Sequence, residues 1–188
     1  MTDHATDLLA AADLDPEVAR RIVAGALEGA DDGELFLEYR QSESLVFDNG
    51  RLKGASFDTS QGFGLRAVTG EVAGYAHSGE ISEAALKRAA DAVGAVRGGR
   101  TGTWAEAPGR TNRSLYSDAN PIGLPTFDEK AKLLAEIDAF ARARDPRVRQ
   151  VTASLAASWQ VVEILRPDGF RVRDVRPLVR VKIGRAHV

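Results

Sequence analysis

The sequence predicts an α+β fold, with antiparallel sheets in two consecutive segments and helices packed on one side. Three observations carry that expectation. Short runs alternating apolar and polar residues, bounded by strong turn signals, fill residues 34–78 and return after residue 148. Stretches of helical period come before, between and after the first runs. Strands and helices fall in blocks, without the regular β-α-β alternation that builds a parallel sheet.

At the N-terminus, Leu8, Leu9, Ala12, Val18, Ile22, Val23 and Leu27 recur at roughly helical spacing, with Asp15-Pro16 where a second helix would start. One short helix and one longer one are expected within residues 1–33. From Glu34 the period becomes that of strands: "ELFLEYR", "SLVFDNG", "RLKGASFDT" and "GLRAVTGEVAGYAHS". Asn49-Gly50 is a strong hairpin signal because both residues accept positive φ, and Thr69-Gly70-Glu71 marks a second turn. Residues 34–78 therefore read as a four- or five-stranded meander. Ser82 caps a helix with Leu86, Ala89, Ala90 and Val93 on one side, closing a first domain at 34–98.

Residues 99–125 lack sustained periodicity and contain several prolines and glycines, as a linker or covering loop does. Thr126 or Asp128 begins a further helix, with Leu133, Leu134, Ile137 and Phe140 as its expected buried face. Three strand-like runs follow, "VRQVTASLAASWQ", "QVVEILRPDGF" and "FRVRDVRPLVRV", with a turn at Pro167-Asp168-Gly169. They make 126–181 a second segment.

The chain has 188 residues, 44% of them apolar, a formal net charge of −2 and no cysteine. Such a balance provides no global basic field for nucleic acid or an anionic membrane. No apolar run approaches the roughly 20 residues of a membrane span, and the acidic start lacks the regions of a signal peptide. A cytoplasmic protein with no nucleic-acid and no membrane partner is the expectation. Without cysteine there are no disulfides, thiolate zinc sites or cysteine nucleophiles.

Chemistry-bearing patterns are sparse. Gly62-Phe63-Gly64 lacks a third glycine and a following helix, so it is no phosphate fingerprint; its glycines fit places where a sheet bends or another backbone comes close. His4, His77 and His187 form no pair at helical ligand spacing, and an independent zinc site usually takes three protein ligands. His77 reads as a strand-end residue. Asp31-Asp32 and Asp128-Glu129 fit a loop and a helix start, no G-x-S-x-G elbow occurs, and the arginines of "RARDPRVRQ" and "RPDGFRVRDVRPLVR" suit a solvated strand face. No catalytic and no metal-binding residue is assigned in this chain.

The stretch "LFLEYRQSESLVFDNGRLKGASFDTSQGFGLRAVTGEVAGYAHSGEISEAALKRAADA" resembles the amino-terminal region of the TldD/PmbA family of metalloproteases: an E-x-R strand at Glu38 to Arg40, then "NGRLKGAS", "QGFGLRAVTGEVAGYAHS" and a helix. Residues 145–181 resemble the family's next segment, and the details look more like the TldD than the PmbA or TldE type. The resemblance implies a zinc peptidase that processes or degrades unfolded peptides, microcin precursors and antitoxins among them, commonly as a heterodimer with a PmbA/TldE-like subunit, or with self as partner. The family's zinc is held by an H-E-x-x-x-H helix and a further cysteine, which this sequence lacks. Zinc is thus expected in the full-length parent and none in this fragment. The segments present would help to shape the channel to the active site, with Gly62, Gly64, Arg66 and Gly74 as candidate substrate-binding residues. The alternative is a non-enzymatic peptide-binding or assembly module pairing through sheet edges; a small-molecule site on the glycine-rich strands is a third reading.

Beyond Val181 the strand pattern breaks. Ile183 to Val188 can be encoded ATC GGA AGA GCA CAC GTC, and Lys182 AAG, which together contain the start of a common short-read sequencing adapter. Residues 182–188 are therefore expected to be translated adapter at a truncated gene end, leaving a strand edge that invites association.

Overall fold

A computed structural model describes residues 7–94 and 117–187, side chains at 185–187 excepted. Residues 99–116 of the linker predicted at 99–125 lie outside the described residues, as do His4 and the His187 side chain.

The described elements run α1 (Leu8–Ala11), α2 (Pro16–Ala26), β1 (Asp32–Asp48), β2 (Arg51–Thr69), β3 (Val72–Ser78), α3 (Glu83–Gly94), α4 (Phe127–Arg144), β4 (Gln150–Leu165) and β5 (Arg171–His187). The fold is α+β, as its sequence predicts. All five strands join one sheet, ordered β3-β2-β1-β4-β5, so strands from the two sequence segments pair with each other. By packing, the chain separates into two compact units that each draw on both segments: residues 7–39, 60–94 and 161–175, and residues 40–59, 117–160 and 176–187.

The expected meander of four or five strands is three. β1 and β2 are 17 and 19 residues long, running through "RQSES" and "DTSQGFG" where sequence alone suggested breaks. Serine, glutamine and glycine are weak strand formers, but pairing on a sheet overrides that preference. The three later runs are likewise two strands, because "SWQVV" continues β4. The turn signals hold: Asn49 (φ 51°) and Gly50 (φ 78°) both take positive φ, as a two-residue hairpin turn requires.

In the first unit, β1 alternates cleanly, with Gly33, Leu35, Leu37 and Tyr39 buried. Leu65 on β2, Val23 and Leu27 around α2, and Leu86 and Val93 on α3 complete this core. Each such side chain removed from water contributes roughly 1.5–3 kcal/mol. Pro16 opens α2 behind the Asp15 cap, and Ser82 Oγ accepts from Ala85 N–H to cap α3. Leu86, Ala89 and Val93 face inward as expected, while Ala90 is half-buried. α1 is held by its ends. Asp7 accepts from the Ala10 N–H, Glu163 of β4 accepts from the Leu8 N–H, and Arg171 bridges Asp7 and Glu163.

The second unit packs Leu45 and Phe47 of β1, Ala153 and Leu155 of β4 and Leu134 of α4 together. Thr126 and Glu129 form a reciprocal capping box at the start of α4. The expected inner face of this helix needs correction: Leu133 and Phe140 are exposed, and the buried positions are Lys130, Leu134 and Asp138. The helix is turned by polar partners inside. Lys130 Nζ donates to Glu43 Oε2 (2.5 Å) and to the Ile122 carbonyl (2.6 Å), and Asp138 takes Arg142 Nε (2.9 Å). A charge taken from water must be paired: Glu43 of β1 pairs Lys130, while Arg142 of α4 itself, which also donates to Asn49 Oδ1, pairs Asp138. Residues 117–125, expected to be linker, are tied down in this unit: Asn120 donates to Gln41 and Trp159 to the Asp118 carbonyl.

Two predictions follow from these polar interiors. Glu43→Gln strands the Lys130 ammonium and is expected to lower unfolding free energy by about 3 kcal/mol, read from the urea midpoint; pairing Glu43→Leu with Lys130→Met should recover most of it. Burial alone would push the Asp7 carboxyl up, but the α1 N–H groups and Arg171 outweigh it, holding its pKa below the usual value. Its contribution is then complete above the ordinary carboxylate pKa of about 4 and disappears as pH falls through the lower folded value. Thermal melts between pH 6 and 2 should steepen in that acid range, and less so for Asp7→Asn.

Candidate functional site

The β2–β3 hairpin decides which residues meet. Its register pairs Gly64 with His77, Arg66 with Tyr75, and Ala67 with Gly74. Side chains alternate along a strand, so Gly62, Gly64 and Arg66 share one face with Tyr75 and His77. Gly74 lies on the opposite face with Phe63, Leu65 and Ala67, all buried. Of the four candidate residues, three are on one side of the sheet and Gly74 is part of the core.

On the Gly62–Gly64 side is an open cleft of about 300 Å³, to which β1 contributes Phe36 and Glu38. Ser60, Gln61 and Gly62 of β2 and His77, Ser78 and Gly79 at the end of β3 complete its rim. Tyr75 and His77, two residues apart on β3, stack with ring centroids 5.8 Å apart and planes at 20°.

The two glycines have different physical reasons. A Cβ on Gly62 would lie 2.5 Å from the Ser78 carbonyl oxygen and 3.2 Å from the Gly79 Cα, so the chain leaving β3 passes directly over this position. A Cβ on Gly64 would meet the Tyr75 ring, with the hydroxyl at 2.5 Å. Gly62 admits backbone; Gly64 admits a side chain. Close approach, not phosphate geometry, accounts for the pair.

Arg66 stands beyond the cleft in a charged row. Its Nε donates to Glu34 Oε1 (3.0 Å) and its Nη2 to Asp32 Oδ2 (2.9 Å), while Arg166 Nη2 reaches Asp32 Oδ1 (3.2 Å). The hydrogen bond that Arg66 donates to Glu34 is the largest influence on the Arg66 pKa, which is raised despite partial burial. This guanidinium clamps β2 to β1. Of the arginines expected as a solvated strand face, Arg173, Arg176 and Arg180 of β5 are exposed, while Arg142 engages Asp138 and Asn49, Arg147 engages Asp145, and Arg171 engages Glu163 and Asp7.

Sequence reasoning did not find Glu38, Phe36 or Tyr75 as site residues. They occupy the outward positions of alternating strands, where they look like ordinary surface until the register brings them to one cleft.

Family models match both segments: PmbA/TldA metallopeptidase domain 1 over residues 33–97 and the PmbA/TldA metallopeptidase central domain over residues 120–184. The chain belongs to the PmbA/TldD metallopeptidase family. It is 36% identical over 158 residues to a metalloprotease TldD homolog of Haemophilus influenzae, covering 82% of this chain and 33% of that protein. A TldD homolog of Buchnera aphidicola from Acyrthosiphon pisum is 32% identical over 158 residues, at 82% and 32% coverage. The chain thus spans about a third of the length of these curated relatives. Its fold is shared with TldE from Thermococcus kodakarensis, at a TM-score of 0.62 and 15% identity, over 89% of this chain and 38% of that one.

A metallopeptidase family implies a metal in the parent protein. Among the described residues, no three His, Cys, Asp or Glu side chains converge as a metal site would require. Glu38 and His77 in the cleft are two donors, one fewer than the three protein ligands of a typical catalytic zinc. The described residues do not fit that metal. Nor is any described helix long and apolar enough to cross a membrane.

The glycines provide a direct test of the packing. Gly62→Ala presses on a backbone carbonyl and is expected to destabilise the fold by about 1–3 kcal/mol. Gly64→Ala should cost less, because the exposed Tyr75 ring can rotate away. Denaturant unfolding of the two variants side by side checks the order.

Proposed function

We propose that this chain is the N-terminal, substrate-channel part of a TldD-like zinc metallopeptidase that degrades or processes unfolded peptides in the cytoplasm. The observation that carries this reading is the consecutive match of domain 1 and the central domain. TldD homologs at 36% and 32% identity favour the TldD type. In this reading the segments 34–98 and 126–181 are the inherited units, 99–125 joins them, and the zinc-binding helix lies in sequence that this chain does not contain. The partner is a PmbA/TldE-like subunit or a second copy of the same protein.

The open face around Gly62 and Gly64 supports a role in guiding substrate. The space over the glycines themselves is filled by the Ser78–Gly79 backbone and the Tyr75 ring, so an extended peptide would lie in the cleft beside them; main-chain pairing at a neighbouring sheet edge would read little side-chain identity, which suits unfolded substrates. A non-enzymatic module that pairs through sheet edges is the second reading. It is favoured by β5, an edge strand whose Leu178, Val179, Val181 and Ile183 are exposed.

Sequencing the source gene past the codon for Val181 separates the two. The first reading expects codons other than the adapter's at 182–188 and, downstream, an H-E-x-x-x-H helix and a cysteine; a native stop codon favours the module. The purified 188-residue chain is expected to bind zinc sub-stoichiometrically and to leave an unstructured peptide intact, while the uninterrupted gene product cleaves it and loses that activity to a chelator. Robust hydrolysis by the short chain, surviving removal of contaminants, would overturn the assignment.

A further inference from the structure

We propose that the cleft on the face formed by β1, β2 and β3 is a subsite for a cationic side chain, arginine above all, of an extended peptide. The proposal rests on the reading that this sheet face receives peptide, and adds what the face selects.

Charge is the first argument. Among the described residues lining the cleft, Glu38 is the single Asp or Glu, and there is no Lys or Arg. Two other carboxylates of β1, Asp32 and Glu34, are held by Arg66. No hydrogen bond or ion pair among the described residues reaches the Glu38 carboxylate. The Arg66 guanidinium on β2 is therefore engaged elsewhere, and the cleft presents a net negative group to whatever enters.

The second argument is shape and surface. Tyr75, 66% exposed, stacks on His77 to make an aromatic wall on β3, across β2 from Glu38 on β1. An aromatic face attracts a cation through its quadrupole, and guanidinium also stacks on it. Gly64 is what permits that wall, since a Cβ there would displace the Tyr75 ring. At about 300 Å³ the cleft is at the small end of ligand sites, about 300–1,000 Å³, a volume suited to one side chain. Carboxylate, aromatic wall and a glycine-lined floor together form a complementary surface for a flat cation.

The test uses the full 188-residue chain and three probes, followed by calorimetry or by NMR shifts of β2 and β3 amides. The first is a short unstructured peptide with one arginine; the second replaces that arginine by citrulline, its uncharged near-isostere; the third is N-acetylarginine amide, a cation with almost no peptide. The arginine peptide should bind about tenfold more tightly than the citrulline peptide, the combined effect of one partly exposed ion pair and one cation–π contact. Glu38→Gln should reduce that ratio to nearly one, and Tyr75→Leu should reduce it partly. The citrulline exchange alters only the ligand, so it remains decisive if a protein variant fails to fold. Equal binding of both peptides overturns the cationic subsite and leaves the peptide-binding reading standing. Glu38-dependent binding of N-acetylarginine amide, with no gain from the longer peptides, supports the cationic subsite and removes the peptide reading. Absence of binding by all three probes overturns both.

Discussion

Alternation along β1 is the constraint on which the first unit depends. This strand is flanked by neighbours on both edges, so its backbone has little freedom to slip, and a one-residue shift would exchange every inward side chain for an outward one. Leu35, Leu37 and Tyr39 are thereby committed to the core. The same commitment directs Asp32, Glu34, Phe36 and Glu38 to the other side, where the first two meet arginines and the last two line the cleft. Hydrophobic burial thus places the polar residues without any polar group choosing its own position.

Buried charge then refines what burial leaves undetermined. Glu163 lies in the dry interior of the first unit, satisfied by the Leu8 N–H and by Arg171. In the second, Lys130 is satisfied by Glu43 and a carbonyl. An unpaired charge at either place would cost several kcal/mol, whereas a paired one is close to neutral. Such pairs add little net stability, but they discriminate: only one rotation of α4 brings Lys130 to Glu43, and only one placement of α1 brings its first N–H groups to Asp7 and Glu163.

The glycines show how one residue type serves two purposes within three positions. Gly62 makes room for the departing backbone of β3, and Gly64 makes room for an aromatic ring that borders the cleft. Membership in the PmbA/TldD family gives this surface a context, because the matched segments are those named domain 1 and central domain. Among the described residues no three His, Cys, Asp or Glu side chains converge on one point.

Much was decided by local physics and was legible in the residues alone. The α+β class, the caps at Asp15, Ser82 and Thr126, and the Asn49-Gly50 turn all follow from preferences acting over a few residues. The resemblance rested on ordered motifs that survive without any knowledge of contacts. What sequence left open involves partners far apart in the chain. Continuity of β1 and β2 through weak strand formers comes from hydrogen bonds to neighbouring strands. The inward turn of Lys130, against Leu133 and Phe140, goes with Glu43, 87 residues away in the chain. Gly62, Gly64, Glu38 and Tyr75 become a cleft, and Gly74 becomes core, through register alone. Propensity acts between neighbours, whereas pairing and desolvation act between surfaces that only the folded chain brings together.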